Sequence, residues 1–194
     1  MEERTRMKNR KLVAGVAGLC VAVSVSGVAV AANSAAVPTK TTIKAVQTLK
    51  MVPNRYIQDG LRWDKDVYKV KSGGTLTVVN NAPGEGPHTF TVVKKKDLPK
   101  TAAQAFNCKI CNTLAQAHGA DPNSDAPPKF QYLENGVGQN TPPNVDKPGD
   151  SGVTTVAQPK KGEKISFKVT AKKGSALYFV CLIHPWMQGR VDVG

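Results

Sequence analysis

Cys181-Leu182-Ile183-His184-Pro185-Trp186-Met187 places a thiolate, an imidazole and a thioether within one short segment of the 194-residue chain. With one more imidazole, these donors make up the trigonal His₂Cys set with a long axial Met that holds copper in electron-transfer sites. The spacing suits that task. Cys181 can close a strand, and the loop after it can turn back so that His184 and Met187 face one ion. The chain has three histidines, so only His88 and His118 remain to supply the second ring.

His88 is the better placed of the two. It follows Val78-Val79-Asn80-Asn81-Ala82-Pro83-Gly84-Glu85-Gly86-Pro87 and precedes Thr89-Phe90-Thr91-Val92-Val93. A strand runs into a Gly/Pro turn, and the histidine opens the next strand. Side chains alternate across a strand, so His88, Phe90 and Val92 share one face, as do Leu177, Phe179 and Cys181. Each donor therefore lies on the apolar, inward side of its strand. An ion held between them sits at the end of a hydrophobic core with little water around it.

At these residues the chain resembles the cupredoxins, the family of plastocyanin and amicyanin. Asn80-Asn81-Ala82 followed by Gly86-Pro87-His88 is similar to the plastocyanin segment carrying the first histidine, with a slightly longer turn. Cys181 to Met187 is similar to the amicyanin ligand loop. The resemblance covers roughly residues 41–97 and 162–194 and not the middle. It implies a Greek-key β-sandwich or barrel with one type 1 copper ion bound by His88, Cys181, His184 and Met187. It implies a single-electron carrier in which His184, flanked by Pro185 and Trp186, is the exit for the electron. Members often carry Asn directly after the first histidine. Here that residue is Thr89, whose hydroxyl is the group available to hydrogen-bond near the thiolate. A metal-free version of the fold is the main alternative. Zinc is a weaker one, because structural zinc prefers a closed tetrahedral set of N and S donors.

The first 32 residues read as an address. Arg4, Arg6, Lys8, Arg10 and Lys11 precede an uncharged run from Leu12 to Ala32, with Ala29-Val30-Ala31 as a small-residue cleavage motif. The run is long for a signal core and close to the length that spans a bilayer. The expectation is a cleaved export signal, with an uncleaved anchor through residues 12–32 as the alternative. Either places the folded part outside the cytoplasm, in a periplasm or beyond the cell. Ala17-Gly18-Leu19 before Cys20 fits a lipoprotein signal poorly. The chain carries a formal charge of +13, and the first 32 residues hold five basic and two acidic side chains, which leaves +10 on the remainder. That excess favours anionic partners: an acidic redox protein, a cell-wall polymer or lipid headgroups. No basic-aromatic motif supports nucleic-acid binding.

Residues 33–194 suit a single domain. Thr41 to Val52, Tyr68 to Val70, Gly74 to Val79, His88 to Val93, Lys164 to Val169, Ala176 to Cys181 and Gly189 to Val193 read as strands, an all-β pattern for a sandwich or barrel. An insertion spans about 98–160. Thr101 followed by Gln104 is a capping-box pattern, so a helix is expected through Ala105, Leu114 and Ala117 to a stop at Gly119. From Asp121 to Gln158, prolines prevent long regular structure, and this loop is expected to wrap over the sandwich near the metal end.

Cys108 and Cys111 fall inside that helix. In an exported protein, two close cysteines form a disulfide first of all. A redox-active pair and a second metal site with His118 are the alternatives. No second CxxC accompanies them, and Asn112 stands where haem attachment requires His. Copper enzymes need further histidines, usually in His-x-His pairs, and this chain has none. The remaining choice is between an electron carrier and a copper storage or delivery protein. Ligands on core strands favour the carrier.

Overall fold

Alternating apolar residues build two facing sheets. In Glu163–Val169, Ile165, Phe167 and Val169 are buried while their neighbours are exposed; Thr75–Asn80 and Lys40–Val46 repeat the pattern. The computed structural model describes residues 36–194 apart from 122, 123, 125 and 156–159. The export signal or anchor expected over residues 1–32, with Cys20, lies outside the described residues. The described residues form one compact unit. Among the described residues no helix is long and apolar enough to cross a membrane.

The first sheet has the order Asn144–Val145, Glu163–Val169, Thr75–Asn80, Lys40–Val46, Arg62–Trp63. The second has the order Val67–Val70, Gln188–Val193, Ala176–Val180, Thr89–Val93, Ser151–Val153, Tyr132–Glu134, Val137–Gln139. Between them lies a core that includes Leu76, Val78, Phe90, Phe167, Phe179 and Val191. Phe90 stacks on Phe179 and on Phe167, with ring centroids 4.7 and 5.4 Å apart. The result is an all-β sandwich, as the alternation implies.

Thr41 to Val52 is not one strand. The chain leaves the first sheet after Val46, and Leu49–Val52 pairs with Tyr56–Asp59 as a separate two-stranded hairpin. Asn54 turns it with φ of 58°, a left-handed conformation that Asn tolerates better than most residues. The Gly60 amide donates to the Thr48 carbonyl and closes its base at 2.8 Å.

The insertion does more than wrap. Ser151–Val153 pairs with Thr89–Val93, Tyr132–Glu134 extends the same sheet, and Asn144–Val145 adds an edge to the other. Gly152 makes this approach feasible. A Cβ there would lie 2.7 Å from the Phe167 ring and 2.9 Å from Ile165, so only glycine lets the strand cross the core at this point. The Pro-rich part is tied by the buried Asp150. Its carboxylate accepts the amides of Asn135, Asp146 and Lys147, each at 3.0 Å.

The expected single helix is two: α1, Ala102–Phe106, and α2, Lys109–Ala117. Thr101 caps α1 by accepting the Gln104 amide at 3.2 Å. The break falls at Cys108, which is extended, joins Cys111 in a disulfide and caps α2 through its sulfur. Gly119, with φ of 77°, terminates the segment as expected. Helix α2 lies on the outer face of the second sheet. Cys108, Cys111 and Leu114 pack with Val93, Val180, Leu182 and Leu133. Thr89–Val93 is therefore buried on both faces, not only on the inward one.

Candidate metal centre

The pairing of two neighbouring strands creates the site. Thr89–Val93 and Ala176–Val180 run antiparallel with Thr91 opposite Val180, so His88 and Cys181 leave the sheet at the same end. The loop after Cys181 then folds back. The Met187 amide donates to the His184 carbonyl at 2.8 Å, and the Cys181 amide donates to the Met187 carbonyl at 2.9 Å. This tight loop brings His184 under the strand end.

His88, Cys181 and His184 each present one donor atom, and these atoms all lie within 4.8 Å of one another. Cys181 Sγ stands 3.7 Å from His184 Nδ1, and the two imidazole rings are 5.0 Å apart at their centroids. Cys181 and His88 are wholly buried; His184 keeps 8% of its surface exposed. Met187 is buried in the same core cluster as Cys181. His118 lies elsewhere, bonded to Phe130 and Ser151. With Cys108 and Cys111 joined to each other, those three do not form a second metal site.

Hydrogen bonding prepares the donors. His88 Nε2 lies 3.3 Å from the carbonyl of Ala82, which can only accept, so Nε2 carries the proton. Nδ1 is then a bare lone pair, and it is buried with no partner. A buried nitrogen of this kind costs free energy unless something binds it. Cys181 is the free thiol among the described cysteines, and its sulfur accepts the Thr89 amide at 3.3 Å. Burial pushes this thiol up, while contacts from Thr89, His184 and Ile183 pull the other way and favour thiolate. Burial pushes both His88 and His184 down, and the neighbouring His88 helps bring His184 to about 4. Both rings are therefore neutral and free to donate. An orphaned ring nitrogen, a second neutral ring and a shielded thiol fit one copper ion.

Comparison with solved structures finds several that are similar to the chain. It is similar to a novel purple cupredoxin from Nitrosopumilus maritimus, at 12% identity over 79% of this chain and 99% of that one, with a TM-score of 0.39. It is similar to auracyanin A, a blue copper protein from Chloroflexus aurantiacus, at 19% identity over 81% and 99%, with a TM-score of 0.39. A copper-containing nitrite reductase from Thermus scotoductus matches at 16% identity over 80% of this chain but 22% of that one, with a TM-score of 0.36. No family model matches, and no curated protein matches. The case for a metal rests on the donors themselves.

Three features around the site have weaker signals in the chain. Thr89 accepts the Leu182 amide through its hydroxyl at 2.7 Å and so joins the two ligand-bearing segments. The position is the one where the resemblance calls for Asn. Trp63 sets its ring against His88 with centroids 6.1 Å apart. Arg62–Trp63 is only two residues long, too short for alternation to mark it as a strand. The hairpin beside the loop also escapes pattern reading, because Leu49, Met51 and Ile57 are apolar yet exposed.

Proposed function

We propose that this chain is a type 1 copper protein that carries single electrons outside the cytoplasm. The observation that carries the proposal is the convergence of His88, Cys181 and His184 donors within 4.8 Å in a buried setting. His88 and His184 would supply ring nitrogens, Cys181 the thiolate, and Met187 a thioether sulfur. A copper ion bound there supplies one-electron chemistry between Cu(I) and Cu(II).

The residues around the site do the rest. The tight loop and the Thr89 bonds hold the donors in place, so little needs to move between redox states. Ala82, Phe90 and Phe179 pack in the same cluster as Cys181 and Met187 and help exclude water. His184 has the exposed edge, and Ile183 and Trp186 beside it are about half exposed. This is an apolar rim for brief contact with a partner. The charge of +13 on the whole chain favours an acidic one. The N-terminal segment supports export. Storage or delivery is the less favoured reading, because the donors are sealed in the core.

One equivalent of Cu(II) added to the purified protein tests the proposal. Thiolate-to-copper charge transfer gives an intense visible band, and paramagnetic resonance reports the strongly covalent site. Cys181→Ser removes the band. A pale copper-loaded wild type contradicts the assignment.

A further inference from the structure

Lys94-Lys95-Lys96-Asp97-Leu98-Pro99-Lys100, and then Lys109, give residues 94–109 five lysines against one acid. That net +4 is a large part of the +10 carried outside the first 32 residues. All five lysines are exposed, and among the described residues none of them is in an ion pair. The hairpin on the other flank of the ligand loop is more balanced, since residues 49–59 hold Lys50 and Arg55 against Asp59.

The fold carries this run to the metal end. The chain leaves Thr89–Val93 at the end away from His88, turns through Lys95–Asp97 and comes back over the outer face of the second sheet. Lys95 Nζ stands 5.4 Å from the centre of the outward Tyr178 ring. The return is pinned at Pro99. Gln188 Nε2 donates to the carbonyls of Pro99 and Pro185, at 2.8 and 2.9 Å, so one side chain fastens the lysine run to the ligand loop. Three grooves meet there. Lys96, Lys100 and Lys109 line one of about 500 Å³ beside Cys108, with Asp97 as its carboxylate. Lys95, Lys96 and Lys100 line one of about 440 Å³ beside Tyr178. Lys100 and Asp66 line one of about 530 Å³ together with Trp186.

Clustered like charges with no acids between them repel one another, and carboxylates on a partner relieve that repulsion. Such a patch acts mainly on the rate and the orientation of encounter. At physiological salt a charge is felt over about 8 Å, so only charge close to the ligand loop guides a partner to His184. Lys100 meets that condition, because it shares a groove with Trp186, whose ring lies 5.3 Å from that of His184. On the hairpin side the carboxylate of Asp59 is near enough to pull His184 up. Lysines on one flank of the exit and an acid on the other give an approaching protein one preferred orientation.

We propose that Lys96, Lys100 and Lys109 form the docking face for an acidic electron-transfer protein, which sets its carboxylates in the grooves around Pro99 and its redox centre against His184. For its electron this inference rests on the copper reading, but the binding of acidic chains is a property of the metal-free protein. The contact lies on the insertion. It does not lie on the hairpin, nor at the opposite end of the sandwich, where Lys172 and Lys173 are also exposed before Ala176–Val180 begins.

Two measurements decide it. In the metal-free protein at low salt, a polyglutamate peptide should move the amide resonances of residues 94–109 and the indole resonance of Trp186, and leave those of Lys172 and Lys173 in place. The combined variant Lys96→Glu, Lys100→Glu, Lys109→Glu should abolish these shifts, and Lys172→Glu with Lys173→Glu should preserve them. In the reduced, copper-loaded protein, one electron passes from Cu(I) to hexacyanoferrate(III), giving Cu(II) and hexacyanoferrate(II). The combined variant should slow this step about tenfold and speed the same transfer to the cationic tris(phenanthroline)cobalt(III). Both differences should close at 1 M salt, where screening acts within about 3 Å. Lys100→Glu alone should show the largest single share of the effect. Peptide shifts that are spread evenly, or centred on Lys50 and Arg55, overturn the docking face. Vesicles of phosphatidylglycerol and phosphatidylcholine that shift residues 94–109 when the peptide does not make the face a lipid site and overturn the protein partner. An unchanged rate with the anionic oxidant overturns the link to the electron exit. Failure to bind copper overturns the proposed function and leaves the peptide shifts to judge the face.

Discussion

The indole nitrogen of Trp186 donates to the carbonyl oxygen of Leu61 at 3.1 Å and ties the ligand loop to the base of the exposed hairpin. The same ring meets His184 edge-on, with centroids 5.3 Å apart. One side chain thus braces the most exposed donor from two directions. Trp186→Phe keeps the ring and removes the donor. The expected loss is about 1 kcal/mol, the usual net worth of one hydrogen bond, read as a lower urea midpoint of the metal-free protein. An unchanged midpoint shows that the loop holds itself.

The chain has two tryptophans, and each lies beside one histidine of the centre, Trp63 at 6.1 Å from His88 and Trp186 at 5.3 Å from His184. Titration with Cu(II) should therefore quench most of the indole emission and reach its end at one ion per chain. Trp186→Phe should dim the starting signal and preserve that end point. Emission that is indifferent to copper places the ion elsewhere.

The Cys108–Cys111 bond packs against Val180 and Leu182, the residues on either side of Cys181. Its closed loop is short, so the entropic gain is at the low end, about 2 kcal/mol. The double variant Cys108→Ala, Cys111→Ala should unfold at lower urea by roughly that amount. Its copper spectrum should stay close to wild type, because neither sulfur touches the donors. Loss of the visible band in the variant assigns the pair a direct part in the centre.

Local chemistry made the cluster of His88, Cys181 and His184 readable. Cys181, His184 and Met187 sit in one loop, and strand parity alone put His88 and Cys181 on the inward face. The inserted strands were harder to see. Ser151–Val153 is three residues with a glycine in the middle, and its pairing partner lies some sixty residues away in the chain. Alternation needs more length than that to show. Cys108 broke the expected helix because its role as cap depends on its own disulfide, which propensity does not encode. The hydrogen bonds that link Thr89, Thr91, Ser151 and His118 were hidden for a similar reason. Thr89, Thr91, Ser151 and His118 are ordinary residues one by one and become a unit only through tertiary register.

Acid should expose the histidines. All are buried in the metal-free fold, and burial pushes His88, His118 and His184 down, the last to about 4. The unfolded chain takes up these protons near pH 6.5, at about the ordinary value. Below that the unfolded state binds more protons than the folded one, so stability is complete above about 6.5 and falls as the pH drops toward 4. The slope is about 1.36 kcal/mol per pH unit for each histidine protonated only when unfolded. Unfolding midpoints between pH 7 and 5 isolate this effect from most carboxylates. A flat profile there contradicts the buried, neutral assignment.

Gly152 offers the sharpest test of how the insertion is held. An added Cβ meets Phe167, Ile165 and Tyr132 at 2.7 to 2.9 Å, and all three are buried core side chains with little room to yield. Gly152→Ala should overpack this spot and cost about 1–3 kcal/mol. The strand it occupies also carries Ser151, which faces Thr91 at 2.6 Å. The substitution should therefore speed amide exchange across Ser151–Val153 before it affects Glu163–Val169. Equal loss of protection in both strands means that the insertion and the sandwich unfold as one cooperative body, and that the inserted strand is not a separately weakened edge.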